Sequence, residues 1–217
     1  EKHITLSMAK ELKELLDKND KYKVYLTRNR DVFIPLRDRV KISRKHDADL
    51  FISIHADSAK NKKAVGLSVY TLSETASDKE AAALAEKENK ADIVAGLNFA
   101  EHSKEVSDIL LNLAQRETNN SSAEFATLLS AQMAKIVKTV SNTHRFAGFA
   151  VLKAPDVPSV LMELGYLSNP AEERQLKQKS YRRKLAEACV KVDMVSGFKT
   201  EELIVLKEEF EEAVDNF

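Results

Sequence analysis

The sequence has 217 residues with 34 basic and 34 acidic side chains, so its formal net charge is zero. The length suits one α/β domain, or a domain with an insertion. Balanced charge leaves no electrostatic footprint for nucleic acid or anionic lipid. One cysteine, Cys189, excludes an intrachain disulfide framework and a thiolate metal site. No apolar run approaches the 18 residues of a membrane-crossing helix.

Ile4, Met8, Leu12, Leu15 and Leu16 keep helical spacing and predict an amphipathic helix over residues 1–17. It starts at once, with no signal-peptide pattern, as if an earlier stretch had been cut away. "YKVYLTR" predicts a strand. Pro35 can open the next helix in its first turn, with Leu36, Val40 and Ile42 or Ser43 inward. "DLFISIH" is nearly all apolar, as a parallel strand covered on both faces should be, and "GLSVYTL" follows as another. This alternation predicts an α/β fold: a mostly parallel twisted sheet flanked by helices on both faces.

Residues 74–120 change the rhythm and predict a helical insertion. "DKEAAALAEKENKADIV" is rich in alanine and charge with good helix propensity. "VSDILLNLAQRET" carries Val106, Ile109, Leu110 and Leu113 on one stripe. "NNSS" reads as a separator before a long helix containing Phe125, Leu128, Leu129, Met133, Ile136, Val137 and Val140. "SNTHRFAG" then reads as a connection, "FAVLKA" as a strand and "VLMEL" as another. "GYLSNPAEERQL" predicts a turn and a helix start, with Ser168 or Asn169 as cap and Pro170 in the first turn. Another helix is expected over 181–195. The tail, 196–217, reads as an acidic amphipathic helix on Leu203, Leu206, Phe210 and Val214.

Three polar residues stand where chemistry could be done. Glu1 begins the first helix, His55 ends one apolar strand, and Glu163 ends another. In open α/β sheets the carboxyl ends of parallel strands form the ligand crevice, and a helix that follows a strand begins at the same rim. Two carboxylates and a neutral imidazole converging there fit a hydrolytic Zn²⁺ site with an open position for water. Each has a blander reading: a histidine at a loop edge, a buried glutamate with a structural partner, an exposed first residue. Taken separately, none is specific. No GxSxG, P-loop, GxGxxG or HExxH motif competes. Cys189 reads as mid-helix packing, and His3, His46, His102 and His144 lie in polar contexts.

"EKHITLSMAKELKELL", "VYLTRNRDVFIPLRDRV", "DADLFISIHAD", "FAGFAVLKAPDVPSVLMELGYLSN" and "EERQL" together resemble zinc-dependent N-acetylmuramoyl-L-alanine amidases, in the catalytic domain of their cell-division branch. The resemblance covers roughly residues 1–190. It implies Glu1 and His55 as zinc ligands, Glu163 as the catalytic general base, and Asp57 beside the metal. The implied reaction is hydrolysis of the amide between N-acetylmuramic acid and L-alanine of peptidoglycan, in the periplasm or cell envelope of a bacterium. The family carries a further zinc-binding histidine in a "DPGHGG"-type segment ahead of the position matching Glu1. No such segment occurs here, and truncation is the expectation. "LAEKENKAD" resembles a helix that blocks the active site until a partner withdraws it. Glu88, one turn after Leu84, is the expected blocking carboxylate, with Glu86 as the alternative. The stripe from Val106 to Leu113 is the expected dock for a protein activator of the LytM type. The alternative from another class is a non-catalytic peptidoglycan-binding or regulatory module that has lost a zinc ligand.

Overall fold

The computed structural model describes residues 1–95, 109–196 and 202–207. Helix α1 (Lys2–Leu16) buries Ile4, Met8, Leu12 and Leu16, the i, i+4 stripe legible in the sequence. Strand β1 (Lys23–Leu26) follows. Helix α2 (Leu36–Lys45) starts after Pro35, which caps it. It buries Leu36, Arg39 and Ser43, while Val40 and Ile42 are half-buried. Arg39 is enclosed because its guanidinium finds the Ile34 carbonyl at 2.7 Å.

Strand β2 (Leu50–His55) is buried at every position, and β3 (Leu67–Leu72) nearly so. After helices α3 (Lys79–Asn89), α4 (Ala91–Val94) and α5 (Ile109–Met133) comes strand β4 (Thr139–Ala147). A short 3-10 turn (Ala150–Leu152) leads to β5 (Ser159–Glu163), then to α6 (Pro170–Lys177), α7 (Lys179–Ser196) and β6 (Glu202–Lys207). Asn169 caps α6 by accepting from the Ala171 N–H, with Pro170 in its first turn.

Among the described residues, six strands form one sheet in the order β1-β6-β2-β5-β3-β4. All neighbours are parallel except β3 and β5. One apolar layer joins α1, α5 and α7 to Leu50, Ile52 and Ile54 of β2 and to Val160 and Met162 of β5. The opposite layer joins α2, α3 and the 3-10 turn to Phe51, Tyr70 and Leu161. Both faces of β2 and β5 are therefore covered, which is why these strands read as unbroken apolar runs.

Five expectations are corrected. "NNSS" lies inside α5 and separates nothing. Polar residues of this part of α5 tether the connection before β5: Thr118 Oγ1 donates to the Pro155 carbonyl at 3.0 Å, and Ser122 Oγ accepts from the Ser159 N–H at 2.8 Å. The long helix ends at Met133, so Ile136 and Val137 lie beyond it and Val140 stands in β4. "SNTHRFAG" looked like a connection because β4 is the last strand of the sheet, with several solvent-facing polar residues. "FAVLKA" forms the 3-10 turn, not a strand, and is apolar because Phe149, Val151, Leu152 and Ala154 are buried. In the tail, residues 202–207 form strand β6 instead of a helix. Its "LIVL" run is the β-type signal that helical spacing of the leucines obscured. Phe210 and Val214 lie outside the described residues.

Candidate active site

The site is built by strand register. His55 and Glu163 are the last residues of β2 and β5, and they are register partners in that parallel pair. Side chains of opposed residues share a face of the sheet, so the imidazole and the carboxylate stand side by side. The Leu164 N–H donates to the His55 carbonyl at 2.9 Å and closes the ladder just beyond them. Both side chains are fully enclosed.

Glu1 reaches the same rim from the start of α1. Its carboxylate accepts from the Ala56 N–H at 3.3 Å, and its Oε1 lies 3.7 Å from His55 Nδ1. Asp57 turns its backbone N–H to Glu163 Oε1 at 2.8 Å. Glu163 Oε2 is buried and accepts no hydrogen bond from the described residues.

Helix α3 covers this corner. Its inward stripe is Ala81, Ala85 and Glu88, and Glu88 Oε2 lies 3.4 Å from His55 Nδ1. Beside it, Lys87 forms a close ion pair with Asp57 Oδ1. Glu86, the alternative, points to solvent and pairs with Lys90 at 2.6 Å. Glu1, His55, Asp57, Glu88 and Glu163 are thus brought together. Val106 lies outside the described residues, as do the side chains of Ile109, Leu110 and Leu113. A surface cavity of about 530 Å³ lined by Arg44, Asp49 and Asp156 contains none of the site's groups.

The family model for N-acetylmuramoyl-L-alanine amidase, Amidase_3, matches residues 1–192. The chain belongs to that family. It is 43% identical over 189 residues to amidase AmiA of Salmonella typhimurium, covering 87% of this chain and 65% of the relative. Identity to amidase AmiC of Escherichia coli O6:H1 is 39% over 191 residues, covering 88% of this chain and 46% of that protein. The chain therefore spans between about half and two thirds of the length of these relatives. Among solved structures, an N-acetylmuramoyl-L-alanine amidase from Clostridium difficile 630 superposes with a TM-score of 0.64 at 24% identity, covering 89% of this chain and 82% of that one. Amidase AmiC2 of Nostoc punctiforme gives 0.63 at 23%, with the same coverage. These two likenesses show a shared fold.

Electrostatics in this family member's site are dominated by burial. Desolvation pushes the Glu1 carboxyl up to about 8, helped by the nearby charges of Glu88 and Asp57. Burial also holds the Glu163 carboxyl well above the usual carboxylate range, with Asp57 and Glu1 adding to it. Burial lowers His55 to about 4 against the opposing pull of Glu88, so the imidazole is neutral at pH 7. A neutral imidazole is the form that binds metal.

Ser53 was not singled out from sequence. Its Oγ lies 2.9 Å from His55 Nε2 and orients the ring so that Nδ1 faces Glu1 and Glu88. The signal was available: position i−2 on a strand shares the face of His55. Lys87 was also missed, because its contact with Asp57 is made across the fold and leaves no local pattern.

Among the described residues, no three His, Cys, Asp or Glu side chains stand as a ready-made ligand cluster. The donor set can nevertheless be tested against a metal. Ligand atoms bound at about 2.0–2.1 Å to tetrahedral zinc stand about 3.3–3.4 Å apart. The approaches of Glu88 and Glu1 to Nδ1, 3.4 and 3.7 Å, are close to that spacing. Buried carboxylates whose charged forms are disfavoured are what a divalent cation would relieve. The residues fit a zinc site.

Proposed function

We propose that this chain is the catalytic part of a zinc-dependent amidase that hydrolyses the bond between N-acetylmuramic acid and L-alanine in peptidoglycan, held inactive by helix α3. The observation that carries this reading is the register pairing of His55 with Glu163, with Glu1 and Glu88 both turned to the same imidazole nitrogen. Family membership supplies the reaction class.

Glu1 and His55 would hold the metal. When bound, zinc supplies Lewis acidity toward the amide carbonyl and favours ionisation of a water. Glu163 accepts the water's proton and returns it to the departing nitrogen. Its raised pKa and neighbouring position suit a group that must carry a proton near neutral pH. Ser53 orients His55. Glu88 occupies the place a reacting group would need, so hydrolysis requires α3 to move. The activator would be a protein partner of the LytM type that docks on the helical segment and draws α3 away. A bacterial periplasm or envelope follows from the substrate.

The test is digestion of purified peptidoglycan by the zinc-loaded chain, with released stem peptides as readout. Glu88→Ala should raise basal release several-fold without any activator. Glu163→Gln in that background should lower it by about 10²–10⁴-fold while zinc content is retained. Unchanged release in the first variant rejects the blocking role. Undiminished release in the second rejects Glu163 as base.

A further inference from the structure

Resting on that reading, we propose that Asp57 is the subsite for the leaving amine, and that α3 holds the site shut by presenting both halves of the hydrolysed amide at once. The chemistry fixes what those halves are. Water's oxygen adds to the carbonyl carbon, and the C–N bond breaks with its electron pair remaining on nitrogen. The proton held by Glu163 goes to that nitrogen, and the proton of the new carboxylic acid follows. The products are one carboxylate and one ammonium.

Two consecutive residues of α3 match that pair. Glu88 places a carboxylate against His55 and near Glu1, where the acyl product would lie. Lys87 places an ammonium on Asp57 Oδ1. Asp57 is 5% exposed, and burying an aspartate there is tolerable because a cation meets it. Its backbone N–H holds Glu163 Oε1, so Asp57 is tied directly to the residue that delivers the proton to nitrogen. Glu163 Oε2, buried and accepting no hydrogen bond from the described residues, is an independent sign that a donor belongs in this corner. Once α3 leaves, the Asp57 carboxylate faces the corner where the new amino terminus forms. A carboxylate there stabilises the nitrogen as it gains positive charge.

The experiment uses the full zinc-loaded chain with Lys87→Gln and Glu88→Gln together, so that the helix no longer supplies either charge. Binding of an L-alanyl peptide with a free amino terminus is compared by calorimetry with that of its N-acetylated form. The free-amine peptide should bind about tenfold tighter, and adding Asp57→Asn should abolish the difference while thermal midpoints stay matched. Equal binding of the two peptides, or a preference that survives Asp57→Asn, overturns the assignment. Peptidoglycan digestion by the same double variant separates the two levels. Active digestion without amine preference rejects only the Asp57 subsite, whereas absence of digestion rejects the amidase reading and the subsite with it.

Discussion

Gly66 shows how much one residue can fix. Its φ is +110°, and a Cβ there would stand 2.7 Å from the Thr139 carbonyl carbon, where β3 and β4 come together. Its N–H donates to Glu172 Oε1 at 2.8 Å, linking the start of β3 to α6. Gly66→Ala is expected to cost about 1–3 kcal/mol through backbone strain alone, with the clash against β4 adding to it. Chemical denaturation of the purified variant would measure this. A stability equal to that of the parent would show that β3 and β4 separate freely. At the same scale, Glu163 was legible as unusual because a carboxylate at the end of an apolar strand is costly to bury. Its partner relation to His55 was not legible, since the two are 108 positions apart and meet only through the β2–β5 ladder.

Helix α3, the element proposed to block the site, is held more by polar contacts than by apolar burial. Helix α3 buries only the small side chains of Ala81 and Ala85 besides Glu88, so little hydrophobic free energy opposes its removal. Its start is pinned: Asp78 caps it through the Glu80 and Ala81 N–H groups and pairs with Arg145. Its far end is tied by Asn89, which donates to the Gly148 carbonyl at 2.8 Å and accepts from the Ala150 N–H at 2.7 Å. Just beyond, Asp92 accepts from the Leu36 N–H at 3.0 Å. The Arg145 guanidinium, hydrogen-bonded to Asp78, lowers its carboxyl from 3.8 to about 2. A depressed folded-state value stabilises the fold above the unfolded value, and that contribution is lost as pH falls through about 2. Asp78→Asn keeps a capping oxygen but removes the charge. Its thermal midpoint should lie below the parent's at neutral pH and converge with it between pH 3.8 and about 2. A gap that persists at pH 2 would show that the carboxylate's charge is not what matters.

For the whole molecule, β6 decides how the sheet is joined. It runs parallel between β1 and β2, and it is the strand with which β1 pairs. Deleting residues 202–207 should therefore uncover two strand edges at once. The expected result is fast amide exchange throughout β1 and faster exchange along β2, with a lowered thermal midpoint. Protection of β1 that is unchanged by the deletion would reject this role. Because β2 ends in His55, the same deletion should also loosen the site at its root.

The sequence alone determined the α1 stripe, the buried strands β2 and β5 and the start of α6 at Pro170, and it narrowed the cap of α6 to Ser168 or Asn169. These depend on local periodicity and capping, both of which act between near neighbours. Tertiary structure alone decided that "LIVL" is a strand inside the sheet, that "SNTHRFA" is its far edge, and that Lys87 meets Asp57. In each case the partner that determines the conformation lies far along the chain, and no local pattern carries its imprint.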